Sequence, residues 1–263
     1  MAAAYFTTPD GLRFLPTEHT RGPWDPGACH AGPPTALMAR AVERLVPDMH
    51  LARMTVELMR PVPMTGFRAQ GEIRRPGRQV TLTEAEIFDD DTIFARAYGM
   101  HLRIADGIDV STPEVDVPDF TVAVPGPFPI HTTAHGLTGF NDSVNVRYDP
   151  AQSQGSGGPT TVWMRLKVPI LADEEPSPFQ RICPLADCGN GISYNAYLDE
   201  IFFVNPDLTI SIHRPPRGEW HASRVLSHWH PSGVGSAEAT LFDVDGPVGT
   251  AVQNLLLSPV SGA

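Results

Sequence analysis

Apolar side chains recur at helical spacing in one stretch near the N-terminus. Between residues 33 and 46 they stand three to four positions apart, which places them on one face of a helix. Pro33 and Pro34 open the stretch, where a first helical turn tolerates proline, and Pro47 marks its end. The pattern predicts an amphipathic helix that packs one face against a core.

A second stretch, residues 185–203, is apolar on more than one face and has an acidic, glycine-rich opening. Asp187 has the chemistry of a helix N-cap, and Gly189 lets the backbone bend or another group approach closely. The pattern predicts a second helix that begins at Asp187 and is covered on most sides.

Alternating apolar and polar residues predict strands over much of the remaining chain. A hairpin is expected between residues 5 and 24, around a turn at 8–11. Long antiparallel strands follow the first helix, with turns at 75–78 and 89–91. Residues 106–160 are rich in Pro, Gly, Ser and Asp, and predict a connection that contains one strand, Val144–Tyr148. After residue 160 the order of strand, helix and strands begins again.

The two halves of the sequence align at a constant shift of 154 residues. The shift aligns Arg60-Pro61 with Arg214-Pro215, Glu84 with Glu238, and Phe88-Asp89 with Phe242-Asp243. It also places the first predicted helix on the second, which indicates an internal duplication. We therefore predict an α+β fold in which two antiparallel sheets are each wrapped around a central helix. The expected units are residues 1–105, a connecting segment 106–140, and residues 141–263.

Charge and cysteine content narrow the function classes. The formal net charge is −11, and residues 141–263 together with the connection carry the whole acidic excess, which argues against a nucleic-acid surface. An anionic ligand would have to be bound by local arginines. Three cysteines suggest no disulfide framework, and no segment has the pattern of a signal peptide or a membrane span. We expect a cytoplasmic protein without membrane insertion, and exposed sheet edges make a homo-oligomer plausible.

Three segments together resemble the type II, TesB-like acyl-CoA thioesterases. They are GPPTALMARAVERL at residues 32–45, NPDLTISIHRPPRGEW at 205–220, and GPVGTAVQNLLL at 246–257. The resemblance implies a double-hotdog fold, acyl-CoA as the substrate, and hydrolysis to a free acid and CoA by attack of water. It implies no cofactor and no metal.

The resemblance also implies three catalytic residues. In that family an Asp at the second helix, a hydroxyl residue before the His-Arg-Pro strand and a Gln on the last strand hold the attacking water. These roles fall on Asp187, Asn205 and Gln253, and the Asn departs from the family pattern. Asn205 can still donate and accept hydrogen bonds, and Thr209 is the substitute candidate if the strand is regular. A helix entrance at Asp187, with Gly189 beside it, would supply N–H donors for the oxyanion.

The shift of 154 residues gives an internal test of the number of sites. The three catalytic candidates correspond in the first half to Pro33, Leu51 and Gly99, which cannot do acid, base or side-chain hydrogen-bond chemistry. We therefore predict one active site per chain, with the first half supplying walls for the acyl group.

Several other polar residues have both a structural and a functional interpretation. His30, before the first helix, is a turn or packing residue or a residue that lines the substrate pocket. Arg74, Arg75 and Arg78 surround a predicted turn and are either solvated or in contact with the nucleotide of CoA. The histidines and cysteines of the second half do not show a zinc-ligand spacing.

Two alternatives to a thioesterase stay open. One is a non-catalytic protein that binds acyl groups with the same fold, which the change at Asn205 permits. The other is a hotdog hydratase or dehydratase acting on acyl-thioesters. That enzyme would require a histidine and an acid at the active helix, and the predicted second helix contains no histidine.

Overall fold

A computed structural model of the chain describes residues 3–130, 135–150, 158–196 and 199–260. Three α-helices, fourteen strands and two 3-10 turns are assigned within these ranges. The helices are α1 (Gly32–Glu43), α2 (Pro178–Ala186) and α3 (Gly189–Ile192), and the 3-10 turns are Glu18–Thr20 and Phe140–Ser143. The strands of the first half are β1 (Phe6–Thr7), β2 (Arg13–Pro16), β3 (His50–Leu58), β4 (Phe67–Arg75), β5 (Val80–Asp89) and β6 (Thr92–Leu102). Those that follow are β7 (Val124–Pro125), β8 (Val144–Tyr148), β9 (Thr160–Leu166), β10 (Ile201–Val204), β11 (Asp207–Ile212), β12 (His221–His230), β13 (Val234–Asp243) and β14 (Gly246–Pro259).

The strands form one continuous sheet in the order β1-β2-β4-β5-β6-β3-β11-β14-β13-β12-β9-β8-β7, with β10 paired to β14 outside this path. The pairings between these strands are antiparallel, as the alternating sequence pattern predicts. The predicted hairpin forms between β1 and β2, and the predicted strand in the connection is β8. The sheet of each half is joined to the other through β3 and β11.

The strands confirm the internal duplication. β5 and β13 have the same length and lie 154 residues apart in sequence. At the junction of the halves, Thr55 of β3 lies directly opposite Thr209 of β11, and their hydroxyl oxygens are 3.1 Å apart. These two residues are also 154 positions apart. A local twofold axis therefore passes between them, and the two halves form a double hotdog.

The prediction of a helix from Asp187 to residue 203 is wrong. α2 begins earlier, at Pro178, where the hydroxyl of the N-cap Ser177 accepts a hydrogen bond from the Gln180 N–H at 3.1 Å. Asp187 is the C-cap of that helix, and the short α3 follows. Residues 201–204 form a strand, because a β-branched and aromatic run there can pair with the long end of β14.

The helices therefore do not obey the shift of 154 residues. The N-caps of α1 and α2, Ala31 and Ser177, lie 146 positions apart. Packing gives a similar offset of 148. Gly71 of β4 packs against Ala41 of α1, and Val225, which is the strand equivalent of Gly71, packs against Gly189. Gly189 is therefore the packing equivalent of Ala41, and these two residues are 148 positions apart. The first-half counterpart of Asp187 is thus an alanine near the end of α1 and not Pro33.

α1 and α2 cross closely at the centre of the molecule. A Cβ added to Gly32 would come within 2.6 Å of the Pro184 Cα, so only glycine permits this approach. The buried core extends through both halves and includes Phe128 and Ile130 of the connecting segment. The proposed boundaries at 105 and 140 stay a prediction, since this connection packs into the core rather than only joining the halves.

Candidate active site

A cavity of about 420 Å³ lies between the two halves. Its walls are mostly apolar and come chiefly from the segment before α1, the end of β3 with the segment after it, and the segment from β10 to β11, with further residues from the connecting segment, the end of α2 and α3. The lining residues are Gly22, Pro23, Trp24, Asp25, Ala28, Cys29, His30, Ala31, Leu58, Met59, Arg60, Pro61, Val62, Ile130, Asp187, Asn190, Phe202, Phe203, Val204, Asn205 and Pro206. Four polar side chains meet at one end of it: His30, Asp187, Asn190 and Asn205.

Asp187 is at the centre of this polar cluster. Its side chain is 3% exposed. Oδ1 accepts hydrogen bonds from Asn205 Nδ2 at 2.9 Å and from Gln253 Nε2 at 3.1 Å. The structure therefore brings together the three residues predicted as catalytic, although it places Asp187 at the end of a helix and not at its start.

Gln253 supports the cluster from behind. It is buried and does not line the cavity, and its Nε2 also donates to the backbone carbonyl of Asp187 at 3.1 Å. Its Oε1 accepts the Asn190 N–H at 3.1 Å. A Cβ on Gly189 would lie 2.8 Å from that oxygen, so the glycine gives Gln253 its space. Gln253 orients Asp187 and the backbone of α3, and is a positioning residue.

His30 of the first half lies against the other carboxylate oxygen. Its Nδ1 lies 3.1 Å from Asp187 Oδ2 and also accepts the Gly32 N–H at 3.1 Å. The ring stacks on Phe140, with centroids 4.1 Å apart. His30 is thus held in one orientation against the carboxyl group, and the site contains residues from both halves of the chain.

Burial moves both members of this pair toward their neutral forms. It raises the pKa of Asp187 to about 7, although hydrogen bonds from Asn205, Gly32 and Gln253 act in the opposite direction. It lowers the pKa of His30 to about 3. At neutral pH the imidazole is therefore uncharged, and Asp187 is poised between its carboxylate and carboxyl forms.

Two features of the site were not predicted from the sequence. Asn190 lines the cavity, and its Nδ2 donates to Asn205 Oδ1 at 3.1 Å. Its position three residues after Asp187 is a helical spacing that could have indicated it. The second feature is the contact of His30 with Asp187, which joins residues far apart in sequence and left no local signal.

The N–H groups near Asp187, which the sequence analysis expected to bind the oxyanion, are not free to do so. The N–H groups of Asp187 and Asn190 are already bonded to Cys183 and Gln253, so they are not available to a substrate. The helix whose N-terminus faces the cavity is α1. The N–H of Ala31, at its N-cap, has no hydrogen-bond acceptor within the described residues, and the positive end of the α1 dipole is directed there.

The remaining predicted substrate contacts lie outside the cavity. The Thr209 hydroxyl is bonded to Thr55 at the junction of the halves. Arg74 is paired with Glu72 and Glu84, and Arg75 and Arg78 are exposed around the turn between β4 and β5. That turn is at the end of the sheet where β3 begins, whereas the cavity is where β3 ends, roughly 25 Å away.

The family of the chain is decided by its sequence profile. Residues 20–102 match the acyl-CoA thioesterase N-terminal domain, and residues 116–257 match the acyl-CoA thioesterase C-terminal domain. The chain belongs to the acyl-CoA thioesterase family. It is a thioester hydrolase, and its resemblance to TesB-like enzymes is confirmed. No curated protein sequence matches the chain.

Solved structures share the fold over nearly the whole length. A candidate thioesterase from Novosphingobium aromaticivorans has a TM-score of 0.73 at 18% identity, covering 98% of this chain and 100% of its own. A hot dog fold protein from Alicyclobacillus acidocaldarius has a TM-score of 0.70 at 14% identity, covering 97% of this chain and 96% of its own. The acyl-CoA thioesterase II TesB2 from Mycobacterium marinum has a TM-score of 0.69 at 16% identity, covering 98% of this chain and 97% of its own. At these identities the structures show the fold alone.

Two negative observations concern the described part of the thioesterase. Among the described residues, no helix is long and apolar enough to cross a bilayer. In the same ranges, no group of three or more His, Cys, Asp or Glu side chains is arranged to hold a metal ion. The three cysteines are free thiols.

Proposed function

We propose that the protein hydrolyses an acyl-CoA thioester by attack of a water molecule that Asp187 activates. The observation that carries this proposal is a buried carboxyl group, held by Asn205 and Gln253 at the polar end of an apolar cavity between the halves, and this burial raises its pKa to about 7. A group with that pKa can take a proton and return it at neutral pH.

The chemistry needs only two proton transfers. The ionised Asp187 removes a proton from water as the water oxygen attacks the thioester carbonyl carbon. The carbonyl oxygen becomes an oxyanion, to which the Ala31 N–H at the N-terminus of α1 can donate from the cavity wall. When the C–S bond breaks, the proton on Asp187 passes to the thiolate, and the products are a carboxylic acid and a thiol.

The polar neighbours of Asp187 have separate tasks. Asn205 faces the cavity and donates to Asp187 Oδ1, so it can orient both the carboxylate and the water. The uncharged His30 ring lies against Asp187 Oδ2 and stacks on Phe140, so it fixes the position of that oxygen. Asn190 fixes the amide of Asn205 in the orientation that this requires.

The apolar walls indicate the acyl part of the substrate. Trp24, Phe202 and Phe203 form a wall of edge-packed aromatic rings. Such a surface binds a hydrocarbon chain by excluding water from it. We therefore place the reaction in lipid metabolism, and we retain the cytoplasmic location predicted from the cysteines as part of the proposal.

A thiol-release assay over a series of acyl-CoA esters tests the proposal. We expect turnover by the wild-type chain and a loss of at least a hundredfold in kcat for Asp187→Asn, the size expected when general acid–base catalysis is removed. Asp48→Asn, a change at an exposed aspartate with no described partner, is the matched control and should leave kcat unchanged. Binding of acyl-CoA without turnover by the wild-type chain would instead support the non-catalytic alternative.

The contact of His30 with Asp187 favours a second candidate. A hotdog hydratase requires a histidine and an acid together, and the structure supplies the histidine from the first half. The same preparation should therefore be assayed for loss of the 2-enoyl-CoA chromophore. Hydration faster than thiol release would replace the thioesterase proposal, whereas thiol release alone would exclude this candidate.

A further inference from the structure

Arg214 shows what the arginine of the Arg-Pro sequence does in the second half. Its guanidinium binds the Asp243 carboxylate at 2.6 Å from Nη1 to Oδ2 and at 2.7 Å from Nη2 to Oδ1. Nη2 also donates to the carbonyl of Gly246 at 3.0 Å. Since the Asp243 side chain is 0% exposed, the role of Arg214 is structural: it compensates a buried charge.

The first half repeats both residues but not the ion pair. The shift that relates β5 to β13 places Arg60 at the position of Arg214 and Asp89 at that of Asp243. Asp89 instead binds Arg13 of β2, at 3.1 and 3.3 Å. Arg13 therefore occupies the carboxylate that would otherwise hold Arg60. Within the described residues, the Arg60 guanidinium has no ion-pair or hydrogen-bond partner.

Arg60 is placed at the mouth of the cavity on a fixed backbone. The N–H groups of Met59 and Arg60 both donate to the carbonyl of Phe94, at 2.9 and 3.0 Å. Arg60 is exposed and is the one arginine or lysine among the described residues that line the cavity. A free guanidinium in this position is available to a ligand.

The charge of the chain makes such a group important. With a net charge of −11, the protein as a whole repels an anionic substrate, so a local cation has to bind it. The apolar interior receives the acyl group, and the thiol portion leaves through the mouth. In CoA that portion carries phosphate groups, for which the guanidinium fork is suited.

We propose that Arg60 binds a phosphate group of the thiol portion of the substrate. Arg13 takes the place of this arginine at the buried strand end in the first half, which leaves the Arg60 guanidinium at the cavity free for a ligand. The proposal rests on the proposed thioesterase function, and it replaces Arg74, Arg75 and Arg78 as the phosphate contact.

Two esters of the same acyl group test the assignment. Arg60→Gln should raise KM for the acyl-CoA roughly tenfold, since a charge-assisted hydrogen bond is lost, and should leave kcat within about twofold. KM for the N-acetylcysteamine ester, which has no phosphate, should not change. Added salt should raise KM for acyl-CoA in the wild-type enzyme but not in Arg60→Gln.

Arg75→Gln is the matched control, because it removes another exposed arginine, at the far end of the sheet, and it should leave both KM values unchanged. Equal changes on both esters, or no change on either, would overturn the proposal. A change confined to acyl groups that end in a carboxylate would overturn it as well, because it would assign Arg60 to the acyl end.

Calorimetry with free CoA separates this proposal from the thioesterase proposal. If the wild-type chain turns over no acyl-CoA, weaker binding of CoA by Arg60→Gln than by the wild-type chain still supports the phosphate contact. Equal binding by the two, or binding by neither, overturns it.

Discussion

Asp187 combines a function with a cost in stability, because the ionised carboxylate is buried in the folded chain. Its pKa rises from 3.8 to about 7 on folding, so the folded state disfavours the charged form. The hydrogen bonds from Asn205 and Gln253 reduce this penalty without removing it. The raised pKa is what suits the group to proton transfer at neutral pH, and the same shift destabilises the protein there.

Replacing Asp187 by Asn should therefore stabilise the chain in a pH-dependent way. The amide oxygen can accept from Asn205 and Gln253 as the carboxylate oxygen does, and the amide carries no charge. Because the folded pKa is raised, the destabilisation by Asp187 is absent below about pH 4, grows between about pH 4 and 7, and is constant above. By linkage it reaches at most about 4 kcal/mol. Thermal unfolding of both proteins from pH 4 to 8 measures it, and a stability advantage of the Asp187→Asn variant that does not grow with pH would contradict the assigned shift.

At the scale of elements, the strands could be predicted from the sequence and the second helix could not. Strict alternation sets the strands, and the glycine and proline turns set their ends, so the predicted β5, β8 and β13 agree with the structure. For the second helix, two positions in the sequence have the residue type of an N-cap. Ser177-Pro178 begins α2, but Asp187 also has N-cap chemistry, and only tertiary packing shows that it ends a helix.

The crossing of α1 and α2 positions His30 against Asp187, and it depends on one glycine. Gly32→Ala would place a methyl group 2.6 Å from the Cα and 2.8 Å from the carbonyl oxygen of Pro184, and backbone atoms cannot move aside as a side chain can. We expect a loss of about 1–3 kcal/mol in the free energy of unfolding, the usual effect of overpacking, together with lower kcat. Denaturant titration and the thiol-release assay measure the two effects. A variant with unchanged stability would show that the helices are not in this close contact.

At the scale of the whole molecule, duplication produced two hotdog units and one candidate site. The first-half counterparts of the catalytic candidates are an alanine of α1, Leu51 and Gly99, so the prediction of a single site does not depend on the helix offset and stays a prediction. Family resemblance identified Asp187, Asn205 and Gln253 as candidates. It could not identify His30, Ala31 or Arg60 as residues of the same site, because these come from the other half and reach the site only when the two halves pack together, through the β3–β11 junction and the crossing of α1 and α2.

The dependence of kcat on pH tests the central claim, that Asp187 takes the proton from the attacking water. For wild-type enzyme with a saturating acyl-CoA ester, kcat should rise with pH through a midpoint near 7, because only the ionised form of Asp187 accepts a proton. Asp187→Asn should retain at most a small and pH-independent activity. A wild-type kcat that is constant between about pH 5.5 and 8.5, or an Asp187→Asn variant that keeps the wild-type profile, would contradict the account.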